Sequence, residues 1–355
     1  MNKMNNHNIN ISTINKFFLL KPKIDNNVEY RTKIINYSFF SVNEANICDK
    51  ISKIPYYSNY FSILYDYYSL NISQLNENVI EKLKDLDIKQ YYLFKYNDKN
   101  SIDFIEYIYS FKTIKKLIFD IINTFQHLFH GLNLLNENNI CFFYLLPENI
   151  VFLENYREKP VLSNFMFSLR LNKLDYEYIS NILTKMTNFT YQPFEINVLF
   201  YFVNNNIRTI SYSFIEEFCE NYIKNLSFLK LFSENYKNIY KEQCIETLKK
   251  YINKPKNDII HDILERNDKW DVYSISLIYL QIFGCISRVF SLKGTFISKI
   301  TLELSKNLHP DSNKRMTLGR TLEVFNKLLE EQNDWIFINK LDNRKLQQLF
   351  DEFAK

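Results

Sequence analysis

The spacing of apolar residues changes once along this chain, near Ile114. Before that point, residues 17–96 alternate short aromatic and β-branched runs with polar stretches, and the runs at 17–20, 30–35, 60–64 and 91–96 predict strands. Residues 41–54 and 75–86 repeat their apolar positions at helical spacing, so this part reads as a small strand-rich unit with two helices. Beyond it, apolar side chains fall at Ile114, Leu117, Ile118, Ile121, Ile122, Phe125, Leu128, Phe129, Leu132 and Leu135, which predicts one long amphipathic helix. Helical spacing returns over 214–232, 234–252, 272–283 and 317–332, with a break at the Asn-Lys-Pro-Lys-Asn stretch 253–257. Two strand-like runs, 149–153 and 160–165, follow the long helix, and no internal repeat is seen.

Composition narrows the classes. A chain of 355 residues with 46% hydrophobic and 24% charged residues can bury a full core. The 44 basic and 40 acidic residues leave a net charge of +4, too weak a field to argue for nucleic acid or an anionic membrane. No run approaches 18 consecutive apolar residues, and the first residues are Asn-rich and polar, so neither a membrane span nor an export signal is expected. The five cysteines are widely spaced, without a C-x-x-C pair, which favours a reducing, cytoplasmic setting over a disulfide frame or a zinc site. Only 4 glycines occur where an average composition would give roughly 25, while 31 Phe and 26 Tyr are present, a bias resembling that of an AT-rich genome.

Directly after the long helix stands Asn-Ile-Cys-Phe-Phe-Tyr-Leu-Leu-Pro-Glu-Asn-Ile-Val-Phe (139–152), and then Lys-Pro-Val-Leu-Ser-Asn-Phe-Met-Phe-Ser (159–168). These resemble the catalytic loop and the metal-binding loop of protein kinases, His-Arg-Asp-Leu-Lys-Pro-Glu-Asn and Asp-Phe-Gly. Further matches follow in the family's order. Tyr-Gln-Pro-Phe-Glu (191–195) is similar to the Pro-x-Glu segment, Trp-Asp-Val-Tyr-Ser-Ile-Ser (270–276) to the start of the central helix, and His-Pro-Asp-Ser-Asn-Lys-Arg-Met-Thr (309–317) to the terminal signature. Upstream, Tyr-Arg-Thr-Lys-Ile-Ile (30–35) resembles the Val-Ala-Ile-Lys strand, with Glu44 where the family places its helix glutamate. The wording of the long stretch 200–268 resembles the insert of Ser/Thr protein kinases of large cytoplasmic DNA viruses.

The resemblance implies an α+β, bilobal protein-kinase-like fold: a polar tail over 1–15, a small β-rich N-lobe over 16–96, and a larger helical C-lobe over 97–355 with a helical insert at about 200–268. It also points to what is missing. Phosphoryl transfer needs a base, charge to hold Mg²⁺ and a cradle for the phosphates. Tyr144 stands at the base aspartate, and a phenol is a poor base near neutral pH. Leu146 replaces the lysine that steadies the γ-phosphate. Asn164 replaces the metal-binding aspartate, and Met166 the neighbouring glycine, which is expected to cost the loop its left-handed backbone. No glycine precedes Gly131, so the phosphate-covering glycine loop has no counterpart.

Composition can account for the missing glycines but not for Tyr144, Leu146 and Asn164, since Asp and Lys are plentiful elsewhere. No functional catalytic residue is therefore expected. Lys33, Glu44 and Asn149 are the nucleotide-binding candidates; ATP is left open as a ligand, no metal site is expected, and Asn149 and Asn164 are the weak candidates for Mg²⁺. Pro193, Glu195, Asp271 and Arg315 match architectural positions, where Asp271 would brace the catalytic-loop backbone and Arg315 would pair with Glu195. The expectation is a pseudokinase of the cytoplasm, or of the host cytoplasm if viral. Its partner would be another protein, an active kinase or that kinase's substrate, with no nucleic acid and no membrane. The alternative is a weakly active, ATP-dependent Ser/Thr protein kinase in which Asp175, Glu177 or Glu154 substitutes. A helical interaction protein unrelated to kinases would require the ordered motifs to be coincidence.

Overall fold

A computed structural model describes residues 31–71, 90–96, 101–153, 159–205, 207–331 and 336–354. The runs at 17–20 and 75–86, the tail over 1–15 and Glu154 lie outside the described residues. The chain is α+β and divides into two compact units, one reaching to Ile102 and taking in Val151–Ser168, the other comprising Asp103–Ile150 and Leu169–Lys355.

In the first unit, strands β1 (Arg31–Asn36), β2 (Leu64–Asn71) and β3 (Gln90–Tyr96) form an antiparallel sheet in the order β1-β3-β2. β3 carries the burial expected of a central strand, with Tyr91, Leu93, Phe94 and Tyr96 all enclosed. The strand expected at 60–64 lies further on. Before Leu64 only Phe61 pairs, as a lone parallel bridge to Leu162, and the strand runs over 64–71 instead. Its alternation places Tyr65, Tyr67 and Ser69 on the exposed side, so its aromatics do not mark a core face. Helix α1 (Phe39–Ile51) starts at Ser38, whose hydroxyl accepts the Ser41 amide while the Ser41 hydroxyl accepts the Ser38 amide. α1 buries Ala45, Ile47, Cys48 and Ile51, and with them the polar Asn43 and Glu44.

The second unit is mostly helical. Helix α2 (Phe104–Tyr109) precedes α3 (Ile114–Glu137), and the ten apolar positions named above are all buried on α3. Downstream come α4 (Tyr176–Leu183), α5 (Phe194–Asn204), α6 (Tyr212–Asn225), α7 (Glu234–Lys249) and α8 (Lys256–Leu264). The single helix expected over 214–232 stops at Asn225, and a 3₁₀ turn, Ser227–Leu231, precedes the Ser233 cap of α7. Asn253, at φ 60°, ends the segment after α7, and Pro255 opens α8, as the break at 253–257 required. Helix α9 (Trp270–Val289) is buried on nearly every side and is followed by α10 (Phe296–Lys306), α11 (Leu318–Glu331), α12 (Ile336–Asn339) and α13 (Leu346–Phe353). The stretch Asn267–Val289, which includes α9 and the turn before it, is long and apolar enough to cross a membrane, but 72% of its most apolar window is buried inside the protein, as befits a core helix. The Phe125 ring of α3 stacks on Phe325 of α11 at 4.1 Å, and the Tyr279 hydroxyl of α9 donates to Thr124 on α3 at 2.8 Å.

Candidate functional site

In the helical unit the catalytic-loop-like segment leaves the short strand Ile140–Cys141 and turns sharply. Phe143 has φ 66°, and the Tyr144 amide donates to the Phe142 carbonyl at 2.8 Å, so Phe143 is the centre of a γ-turn, a strained arrangement for a bulky residue. Three groups hold it. The Asp271 carboxylate, in the first turn of α9, accepts the Phe142 amide at 2.7 Å and the Phe143 amide at 2.8 Å, and Gln192 donates to the Phe143 carbonyl at 2.8 Å. The Phe143 ring packs on Trp270 at 5.5 Å. Burial pushes the Asp271 carboxyl above its ordinary range against the opposing pull of the two amides, and burial followed by the charge of Asp271 pushes the Cys141 thiol well up.

Tyr144 is buried, and its hydroxyl oxygen accepts the Asn188 amide at 3.2 Å. The phenol is thereby part of the packing between this loop and the stretch before the Pro-x-Glu segment. Leu146 caps the 3₁₀ turn Pro147–Asn149, where the Asn149 side-chain oxygen accepts the Leu146 amide at 3.1 Å. Asp175, weighed as a substitute carboxylate, caps α4 by accepting the Tyr178 amide at 2.8 Å, and Glu177 is exposed on the first turn of that helix.

Pro193 caps α5, and Glu195 lies in its first turn. Arg315 is 4% exposed and meets Glu195 fork to fork, Nη1 to Oε1 and Nη2 to Oε2, both at 2.7 Å. Nε donates to the His309 carbonyl at 2.6 Å, Nη2 also to the Pro310 carbonyl at 3.2 Å, and the guanidinium lies 5.1 Å from the Tyr273 ring centre. Burial would lower the Arg315 pKa, but Glu195 more than reverses this and raises it. His309, beside this pair, is held down at about 4 by burial and by Lys314, and its Nδ1 accepts the Asp311 amide at 2.9 Å.

In the first unit Lys33 lies half-buried on β1 opposite Phe94, and Glu44 is buried on α1, its Oε1 accepting the Tyr96 hydroxyl at 3.1 Å. Burial, with Glu44 as the next cause, pushes the Cys48 thiol well up. The metal-loop-like segment differs from expectation at its backbone. Asn164, not the residue at the glycine position, takes the left-handed conformation, φ 66° and ψ 72°, while Met166 sits within a 3₁₀ turn, Phe165–Phe167. Asparagine tolerates that region, so the loop turns without a glycine. Sequence reasoning missed Asn43, whose amide donates to the Met166 carbonyl at 3.0 Å and to the Ser168 carbonyl at 2.8 Å. It also missed Gln192, although that residue lies inside the quoted Tyr-Gln-Pro-Phe-Glu. The signal available for Asn43 was an asparagine beside Glu44 within the helix expected over 41–54.

For Mg²⁺, each of these positions offers a neutral group at most. None of Tyr144, Leu146, Asn149 and Asn164 offers a carboxylate, and the Asn149 oxygen already accepts a backbone amide. Among the described residues no group of three or more His, Cys, Asp or Glu could hold a metal. No family model matches the chain, and no curated protein matches it in sequence. Among solved structures, the twitchin kinase region from C. elegans aligns with 92% of this chain at TM-score 0.44 and 14% identity. The chain spans 45% of that structure. A likeness of this extent adds nothing to the reading of the site, which rests on the side chains above.

Proposed function

We propose that this chain is a pseudokinase, a kinase-fold binding and regulatory module that engages another protein, an active kinase or its substrate, in the cytoplasm and transfers no phosphate. The observation that carries the reading is Tyr144. At the position of the base stands a buried phenol whose oxygen accepts the Asn188 amide, in a loop whose backbone is held by Asp271. The kinase-like assignment draws support from the buried Asp271 and Arg315–Glu195 contacts, which hold motif segments more than 100 residues apart in sequence. Loss of chemistry draws support from Tyr144, Leu146 and Asn164 together, since a γ-phosphate here would meet neither a base nor fixed positive charge. Asp175, spent as a helix cap, weakens the case for a displaced base.

The test is incubation of the purified chain with radiolabelled ATP and either Mg²⁺ or Mn²⁺, beside a Lys33→Ala variant and a thermal-shift titration with nucleotide. The expected outcome is no incorporation by either protein. Incorporation by the wild type that vanishes in Lys33→Ala would overturn the proposal.

A further inference from the structure

The first unit contains a contact with no part in phosphate chemistry. Asn43 lies on the buried side of α1, 2% exposed, and donates both amide hydrogens to the 3₁₀ turn, one to the Met166 carbonyl at 3.0 Å and one to the Ser168 carbonyl at 2.8 Å. An uncharged amide has two donors, and here both are used on backbone acceptors more than 120 residues away in sequence. The same turn is seated on two further sides. Phe165 is fully buried with its ring 6.0 Å from Phe61, and Phe167 packs on Phe40 at 5.5 Å. The strand leading into the turn is pinned in turn, since Leu162 donates to the Tyr60 carbonyl at 2.8 Å and accepts from the Ser62 amide at 2.9 Å.

We propose that Asn43 is a lock that fixes the turn Phe165–Phe167 to helix α1 in one conformation without nucleotide or metal. A loop that responds to a bound cation needs backbone groups free to rearrange; here the carbonyls of Met166 and Ser168 are committed to a buried donor, and the left-handed step that shapes the turn is taken by Asn164 itself. Helix and turn therefore move as one body, and a change in either is felt by the other. The lock rests on the two Asn43 hydrogen bonds, beside the Phe167 ring on Phe40, and stands whether or not the chain transfers phosphate.

Hydrogen exchange on the full chain tests it. The Ser168 amide donates to the Phe165 carbonyl at 3.0 Å and so reports opening of the turn, while the amides of Phe142 and Phe143, held by Asp271, report the integrity of the other unit. In Asn43→Ala, Ser168 exchange is expected to rise by roughly tenfold or more, with Phe142 and Phe143 unchanged. Unchanged Ser168 exchange in the folded variant overturns the lock. If Asn43→Ala does not fold, the wild type decides. With ATP and Mg²⁺ at millimolar concentration, exchange at 164–168 is expected to stay as it was, and slowing of that segment would show a turn that answers to nucleotide. Detection of phosphate transfer in the same sample would remove the pseudokinase reading and leave this result intact.

Discussion

A guanidinium survives burial only where its N–H groups find acceptors, and Arg315 meets that condition with Glu195, His309 and Pro310. Removing one partner leaves the other charge buried and alone. Glu195→Ala is therefore expected to lower unfolding stability by about 3–5 kcal/mol in urea titrations. The double variant Glu195→Leu with Arg315→Met should recover much of that loss. A result in which Glu195→Leu, Arg315→Met and the double variant all cost the same would refute the pairing account. His309 sets a pH dependence nearby. Its folded pKa, about 4, lies below the ordinary value of 6.5, so the unfolded chain takes up the proton first. The stability it contributes is complete above pH 6.5 and is lost as the pH falls toward 4. His309→Asn should flatten the thermal-stability profile over that window while leaving its alkaline side in place.

Most helix starts here are capped by the residue just before them, but α3 is also held by a side chain far away in sequence. The first amide of α3, Ile114, donates to the Asn343 side chain at 2.9 Å, whereas its local cap Thr113 reaches the Lys116 amide only at 3.4 Å. Asn343→Ala is thus expected to cost about 1 kcal/mol, and Thr113→Ala clearly less, by chemical denaturation; the reverse order would assign the cap to Thr113. The amphipathic period made α3 legible in sequence from its first residue, because its face is apolar and its back polar. The Asn343 cap was not legible, since a capping side chain supplied from over 200 residues away leaves no local signature. The displaced strand at 64–71 was lost for another reason. Tyrosine serves exposed and buried faces equally well, so aromatic content alone did not mark which run pairs. Likewise, the family pattern directed attention to Met166, and only the backbone angles moved the left-handed residue to Asn164.

At the scale of the molecule, the motifs that were readable in order are those whose side chains make buried, long-range contacts: Asp271, Glu195 and Arg315. Their partners are backbone amides, backbone carbonyls and one another, which is why residue identity at these few positions carried so much. On the proposed pseudokinase reading, phosphate transfer needs more than one residue changed. Tyr144→Asp is expected to yield no phosphate incorporation, because Leu146 and Asn164 remain, and to lower the melting temperature by removing a ring and the acceptor of the Asn188 amide. Incorporation by that single variant would mean that the rest of the site is competent. The γ-turn at Phe143 has a wider consequence. Its peptide groups are gripped by Asp271 and Gln192, side chains that lie outside the loop. A loop shaped from outside can exchange its reactive residues one after another and keep its path, so mutation could erase an activity here long before it threatened the fold.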